Sequence, residues 1–133
     1  MEKAALIGRR CKALVAREFW LDGRLVTEVS ALFLQDDKKD VWKIYLDDED
    51  YSWKLKRVQV MPKLGAITGD LEFSYPHVDI FVRFPLEDRV IENFTEGDLG
   101  TSAIATICFS NDQEFVLDYE YATERTTVRL DRR

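Results

Sequence analysis

The densest run of charge in the sequence is Asp47-Asp48-Glu49-Asp50, four acidic residues between two aromatic-rich segments. Adjacent carboxylates repel one another unless they are solvated or bound to a positive group. Calcium loops place their ligands at alternating positions and turn the chain at a glycine, and this run contains none. The pattern therefore favours a solvated turn or a docking surface for a cationic partner, and we expect no metal site and no cofactor.

A second group with chemical potential is the alternating set His77, Asp79, Phe81 and Arg83. Residues two apart on a strand lie on one face, so the carboxylate of Asp79 would lie beside the imidazole of His77. The Ser and Cys residues form no nucleophile motif that such a pair could activate. We therefore assign no catalytic residue, but the four side chains could form the ligand-contacting face of a small-molecule carrier or sensor.

The two cysteines, Cys11 and Cys108, are far apart in the sequence and lie among apolar residues. With one histidine in the chain, they make no zinc-binding pattern, and we expect both thiols to be buried and structural. Glycine-rich phosphate loops and dinucleotide fingerprints are also missing from the sequence. These absences favour a binding protein over an enzyme, although a pair of carboxylates assembled in space would escape a search of the linear sequence.

Charge is distributed unevenly along the 133 residues, whose net charge is −6. Residues 58–121 contain three cationic residues against twelve acidic ones, and such a surface would repel phosphate, so we expect no nucleic-acid partner. No apolar run is long enough to span a membrane, so we expect no membrane partner. Arg9 and Arg10 follow the first apolar patch, the reverse of a secretion signal, so a cytoplasmic location is expected.

The elements that would position these residues are mostly strands. Asp22-Gly23 lies between two β-favouring runs and predicts a two-residue hairpin turn with positive φ at both positions. Counting outward from this turn pairs Trp20 with Leu25 and Arg17 with Glu28. Upstream, the chain fits a helix or a strand, and a strand is favoured from about Cys11.

Further along the chain, apolar and polar residues alternate on both sides of the acidic run, which predicts a second hairpin with the four acids at its tip. A connection then leads to a strand that is broken or bulged at Pro76 and is predicted to continue to Phe84. The last third of the sequence predicts three short strands in a meander.

One helix is predicted near residues 85–96, because a proline suits its first turn and Gly97 could end it. Its apolar stripe would consist of Leu86, Val90, Ile91 and Phe94. Asp88, Glu92 and Glu96 lie four residues apart and would form an acidic outer face. This face is a second candidate surface for docking a cationic partner.

Together these patterns predict a single domain over residues 1–133, mainly β and α+β at the margin. We expect an antiparallel β-sandwich or half-open barrel of about seven or eight strands with one packed acidic helix. The leading functional hypothesis is a non-catalytic acidic module that binds, and so neutralises or chaperones, a basic protein partner. In size and charge the chain is similar to the acidic immunity proteins of bacterial competition systems. A small-molecule carrier is the alternative, and a homo-oligomer built through edge strands is a third interpretation.

Overall fold

The chain folds into two antiparallel β-sheets in a computed structural model that describes residues 2–86 and 89–132. The elements in chain order are α1 (Glu2–Leu6), β1 (Cys11–Leu21), β2 (Arg24–Asp36), β3 (Val41–Asp47), β4 (Ser52–Val58), β5 (Ile67–Gly69), β6 (Phe73–Asp79), α2 (Ile80–Arg83), β7 (Ile91–Asp98), β8 (Ser102–Phe109), β9 (Gln113–Glu120) and β10 (Arg125–Arg132). The six-stranded sheet has the order β4-β3-β2-β1-β6-β5, and the four-stranded sheet has the order β10-β9-β8-β7.

The predicted mainly β, antiparallel class is confirmed, but the described residues form ten strands rather than seven or eight, and the two sheets do not form a closed barrel. Both helices are short, at five and four residues. No helix in the described part of the chain is both long and apolar enough to cross a bilayer.

The β1–β2 hairpin forms as predicted at its turn, where Asp22 has a φ of 48° and Gly23 a φ of 77°. Trp20 pairs with Leu25, also as predicted. Farther from the turn the predicted register is wrong, because Arg17 pairs with Ala31. Extra residues in β2 form β-bulges that shift the pairing, and a bulge cannot be counted from the turn.

The second hairpin, β3–β4, is confirmed, with residues 48–51 as its tip. Alternation along it separates two faces: Trp42 and Ile44 are buried in the core, whereas Lys43 and Tyr45 lie on the opposite face. The acidic run therefore lies at one end of the six-stranded sheet.

The predicted helix near residues 85–96 is wrong, because residues 91–98 form β7 and pair with β8. A β-bulge between Ile91 and Asn93 turns both Ile91 and Phe94 toward the core, although they are three residues apart. Apolar residues three apart are also typical of the buried face of a helix, and this is why the sequence predicted a helix here. A short isolated helix is marginally stable, whereas β8 pairs with β7 from Ile91 to Asp98, interrupted only at the bulge.

The strand predicted to reach Phe84 ends at Asp79, so that prediction is wrong beyond this residue. The carboxylate of Asp79 caps α2 by accepting the backbone N–H of Phe81 at 2.9 Å. The helical turn places Ile80 in the core, where it is fully buried. The capping hydrogen bond of Asp79 and the burial of Ile80 therefore stabilise a helical turn where the last part of the strand was expected.

A single hydrophobic core joins the two sheets. Its largest fully buried side chains are Trp42, Trp53, Phe109 and Phe115. Cys11 and Cys108 are free thiols and both are buried, as predicted. Burial raises the pKa of Cys11 to about 12, so this thiol is protonated and unreactive at neutral pH.

Candidate docking cleft

The acidic hairpin tip borders a cleft of about 180 Å³ between the two sheets. The other wall is the end of β7, so the fold brings together two acidic segments that lie more than forty residues apart in the sequence. The cleft is lined by Asp50, Tyr51, Ser52, Trp53, Glu96, Gly97, Asp98 and Ala103.

Alternation along β7 explains why two of these carboxylates reach the cleft. Phe94, Glu96 and Asp98 lie on one face of the strand, and Phe94 is buried in the core. Glu96 pairs with Ala105 and Asp98 with Ala103, so both lie beside small side chains of β8. Those small neighbours leave room for the cleft.

The floor of the cleft is fixed by Trp53, whose indole N–H donates to the carbonyl oxygen of Ala103 at 2.9 Å. This buried hydrogen bond joins β4 of the six-stranded sheet to β8 of the four-stranded sheet. The distance between the two acidic walls is therefore set by a contact of the core and not by the exposed hairpin tip alone.

Two of the four tip carboxylates stabilise the turn. Asp47 accepts the backbone N–H of Glu49 at 2.9 Å, and Asp50 accepts the backbone N–H and the hydroxyl of Ser52. These hydrogen bonds from Ser52, followed by the one from Lys54, lower the pKa of Asp50. Asp47 and Asp50 thus fit the predicted turn. The side chains of Asp48 and Glu49 are exposed and accessible to a partner.

Tyr51 is the aromatic element of the site. It stacks on Tyr119 with ring centroids 6.1 Å apart, contacts Tyr121 edge to face, and remains 45% exposed. Its φ of 54° places a bulky side chain in the left-handed region, at a cost of about 1–2 kcal/mol. Asp22, Lys39, Asp112 and Glu124 have the same conformation at other hairpin turns, so the backbone of Tyr51 reflects the turn and does not by itself mark a site.

The cleft is electrostatically negative. Lys54 is the cation at its border, and its ammonium group lies 3.1 Å from Asp50. The hydrogen bond that Lys54 donates to Asp50 raises the pKa of Lys54, and the charges of Asp47 and Glu96 raise it further. Glu96 is exposed and has no ion-pair partner within 4.0 Å among residues 2–86 and 89–132.

Asp98 is more strongly held than Glu96. Its carboxylate accepts the backbone N–H of Gly100 at 2.7 Å and the hydroxyl of Tyr121 at 3.0 Å. Burial raises the pKa of Tyr121, and the hydrogen bond to Asp98 raises it further. The hydroxyl of Tyr121 is therefore protonated at neutral pH and orients the Asp98 carboxylate.

The structure joins only part of the predicted acidic surface. Glu96 lines the cleft together with Asp50, whereas Asp47, Asp48 and Glu49 do not line it. Glu92 lies within the β-bulge between Ile91 and Asn93 and does not line the cleft either. Asp88 falls outside the described residues. Sequence reasoning missed Asp98 and Tyr51, although a strand assignment would have placed Asp98 on the same face as Glu96.

The alternative set, predicted as one strand face, is divided among separate contacts. His77 is 7% exposed, and its Nδ1 lies 2.8 Å from the carbonyl oxygen of Ala66. Arg83 pairs with the buried Glu18 at 3.2 Å. Phe81 lies under the guanidinium of Arg89, and Asp79 caps α2. Within the described ranges, no group of three or more His, Cys, Asp or Glu residues is placed to hold a metal ion.

Comparison of the chain with protein-family profiles, with curated proteins and with solved structures found no match. The functional interpretation therefore depends on the geometry and charge of the described residues.

Proposed function

We propose that the protein is a non-catalytic binding module that docks a basic protein partner, with a Lys or Arg side chain of the partner inserted in the cleft. The observation that carries the proposal is the convergence of Asp50, Glu96 and Asp98 around one cleft with the exposed ring of Tyr51. Asp48 and Glu49 extend the negative surface beyond the cleft. A module of this kind could neutralise or chaperone its partner, as an immunity protein does.

The arrangement suits a cation for two physical reasons. A Lys or Arg side chain near an aromatic face gains about 0.5–2 kcal/mol, depending on how far it is desolvated. Clustered carboxylates add an attraction that also steers the partner during diffusion, and salt weakens this attraction. The net charge of −6 adds long-range steering of the same sign.

Among the three carboxylates, Glu96 should contribute most to the partner's affinity. Asp50 is already compensated by Lys54, and Asp98 accepts two hydrogen bonds from its neighbours. Glu96 forms no ion pair within 4.0 Å among the described residues, and the charge of Lys54 acts on it only from a longer distance, so Glu96 is the least compensated of the three. Neutralising Glu96 should therefore weaken capture without disturbing the fold.

The test is affinity capture from native cell extract with three immobilised proteins: the wild type, the Glu96→Gln variant and the Glu92→Gln variant. Both variants remove one negative charge from β7, but only Glu96 lines the cleft. We expect wild type and Glu92→Gln to retain the same basic protein at about 0.1 M salt and to release it at about 1 M.

Retention by Glu96→Gln should be at least fivefold lower at the lower salt. The retained protein is then purified, and its affinity for the three proteins is measured by titration calorimetry. Equal affinity for Glu96→Gln and Glu92→Gln would remove the cleft from the proposal, and retention of no basic protein by the wild type would contradict the proposed partner class.

A further inference from the structure

The outer face of the six-stranded sheet, the face opposite the core, has a charge of the other sign. Residues that pair across strands lie on the same face, and one such row runs Val15, Phe33, Lys43 and Lys56 across β1 to β4. Arg17 follows Val15 by two residues along β1 and so lies on the same face. Lys43 and Lys56 of this row, together with Arg17, therefore place three cations on one face of a sheet in an acidic protein.

Aromatic rings alternate with these cations. The ammonium of Lys43 lies 5.9 Å from the ring centroid of Phe33 and 5.4 Å from that of Tyr45, and the ammonium of Lys56 lies 5.1 Å from Tyr45. At the other side of the face, Arg17 lies 5.6 Å from the ring centroid of Tyr75. Of these six side chains, Lys56 is exposed and the other five are half-buried.

The three cations lack counter-ions. No carboxylate among the described residues lies within 4.0 Å of Arg17, Lys43 or Lys56. Burial lowers the pKa of Lys43, and the charges of Arg17 and Lys56 lower it further. The three groups are thus close enough to repel one another, and an anion bound among them would relieve this repulsion.

Two carboxylates also lie on this face, but neither pairs with Arg17, Lys43 or Lys56. Asp79 pairs in register with Val15 across β6 and β1, and its carboxylate accepts the N–H of Phe81. Asp47 follows Tyr45 by two residues along β3, and its carboxylate accepts the N–H of Glu49. Both carboxylates keep their charge, but among the described residues neither lies within 4.0 Å of the three cations. Positive charge is therefore concentrated locally around Arg17, Lys43 and Lys56.

We propose that this outer face binds single-stranded nucleic acid, with phosphates at Arg17, Lys43 and Lys56 and bases stacked on the rings between them. Sheet surfaces that combine partly exposed aromatic rings with cations suit this ligand, because splayed bases stack on rings while the backbone follows the positive charge. Five neighbouring strands, β6 to β4, contribute to the face, which corresponds to about 19 Å at ~4.8 Å per strand. A single nucleotide would cover only part of this width.

The sequence led us to expect no nucleic-acid partner, because residues 58–121 are strongly acidic. Arg17, Lys43 and Lys56 all lie outside that segment, which reaches this face only along β6, where Tyr75 and Asp79 lie beside β1. Charges are screened beyond a Debye length of about 8–10 Å at physiological salt, so the local positive charge decides binding at contact. The surface is distinct from the acidic cleft, and binding to it does not depend on the proposed protein partner.

The test measures fluorescence anisotropy of a labelled single-stranded oligothymidylate with the full-length protein at several salt concentrations. Three phosphate contacts predict that log K falls against log salt with a slope of about −2, since each contact to a single strand contributes about −0.7. The Lys43→Gln variant should reduce this slope by about one contact. Arg125→Gln removes an exposed cation from the other sheet and is the matched control, which should bind as the wild type does.

Tyr45→Leu tests the stacking, and it should lower affinity about fivefold or more, because one base–ring stack contributes roughly 1–3 kcal/mol. The Glu96→Gln variant should bind the oligonucleotide as the wild type does, which separates this site from the cleft. An absence of binding at low salt would overturn the proposal. Equal binding of duplex DNA, or equal losses for Lys43→Gln and Arg125→Gln, would show a nonspecific charge effect and would overturn it as well.

Discussion

Asp36 is a buried carboxylate at the C-terminal end of β2, where it binds side chains from two other segments. It is 1% exposed, and it accepts hydrogen bonds from the indole of Trp42 at 3.0 Å and from Arg9 at 2.6 Å. Burial by itself raises the pKa of Asp36, but the hydrogen bonds from Trp42 and Arg9 outweigh it, and the net pKa lies below the usual value. Asp36 therefore stabilises the fold in its ionised form.

The Asp36→Asn variant should lose about 3 kcal/mol of unfolding free energy, because one partner of a buried charged pair is removed. The folded-state pKa of Asp36 is depressed, so its stabilisation is complete above the unfolded-state pKa of about 4 and is lost as pH falls through the folded-state value. Urea unfolding between about pH 7 and pH 2.5 should show this loss in the wild type and a smaller one in the variant.

The matched control is Asp37→Asn, since Asp37 is exposed and accepts only a weaker contact from the backbone N–H of Arg10 at 3.2 Å. It should change the unfolding free energy by less than about 1 kcal/mol. If Asp36→Asn matched this control, or kept the full pH dependence of the wild type, the assigned role of Asp36 would be wrong.

At single residues, the sequence predicted what depends on local context. Apolar neighbours identified the buried thiols of Cys11 and Cys108, and four adjacent acids identified an exposed hairpin tip. The role of Asp36 was not visible, because its partner Arg9 is 27 residues away in the sequence. The strained Tyr51 was also missed, since glycine or asparagine is the usual residue at a left-handed turn position.

The strands β2 and β10 form a joint between the sheets through side chains. Thr27 Oγ1 accepts the backbone N–H of Thr126 at 2.7 Å, and Glu28 accepts the backbone N–H of Val128 at 3.0 Å. Thr27 and Glu28 lie in the bulged part of β2, which turns their side chains toward β10. The joint also satisfies the free edge of β10, where unpaired N–H groups would invite another strand.

Thr27→Val keeps the side-chain shape but removes the hydroxyl, which leaves the buried N–H of Thr126 without its acceptor. We expect a loss of about 1–3 kcal/mol of unfolding free energy and a greater tendency to aggregate through the β10 edge. Urea denaturation and light scattering would measure the two effects.

Thr127→Val is the control for this joint, because Thr127 is the exposed neighbour on β10. It should change the unfolding free energy by no more than about 0.5 kcal/mol. Equal stability of the two variants would contradict the proposed joint between the sheets.

Among the elements, hairpins were predictable and the bulged strand was not. The Asp22-Gly23 turn and the β3–β4 hairpin follow from turn chemistry and alternation, which act over a few residues. The failure at residues 91–98 came from a β-bulge that turns Ile91 and Phe94 to one side. With β7 taken as a helix, Glu92 and Glu96 were placed on one face, and the cleft could not be predicted.

Over the whole molecule, charge is separated between surfaces in a way that the net value of −6 conceals. The acidic cleft lies where the tip of β3–β4 meets β7, and the cationic face lies across the outside of the same six-stranded sheet. The alternation of Lys43 and Tyr45 with Trp42 and Ile44 in the sequence already indicated that β3 has an outer face and a core face. What the sequence could not show was which strands lie side by side, because that order depends on long-range pairing.

The central claim, that the cleft receives a cationic side chain, is tested most directly by NMR titration of the isotope-labelled protein with a tetra-arginine peptide. We predict saturable shifts of the backbone amides at residues 50–53 and 96–98, reduced by at least half in Glu96→Gln and unchanged in Glu92→Gln. Shifts spread evenly over the acidic surface, or equal titration curves for the two variants, would contradict the claim.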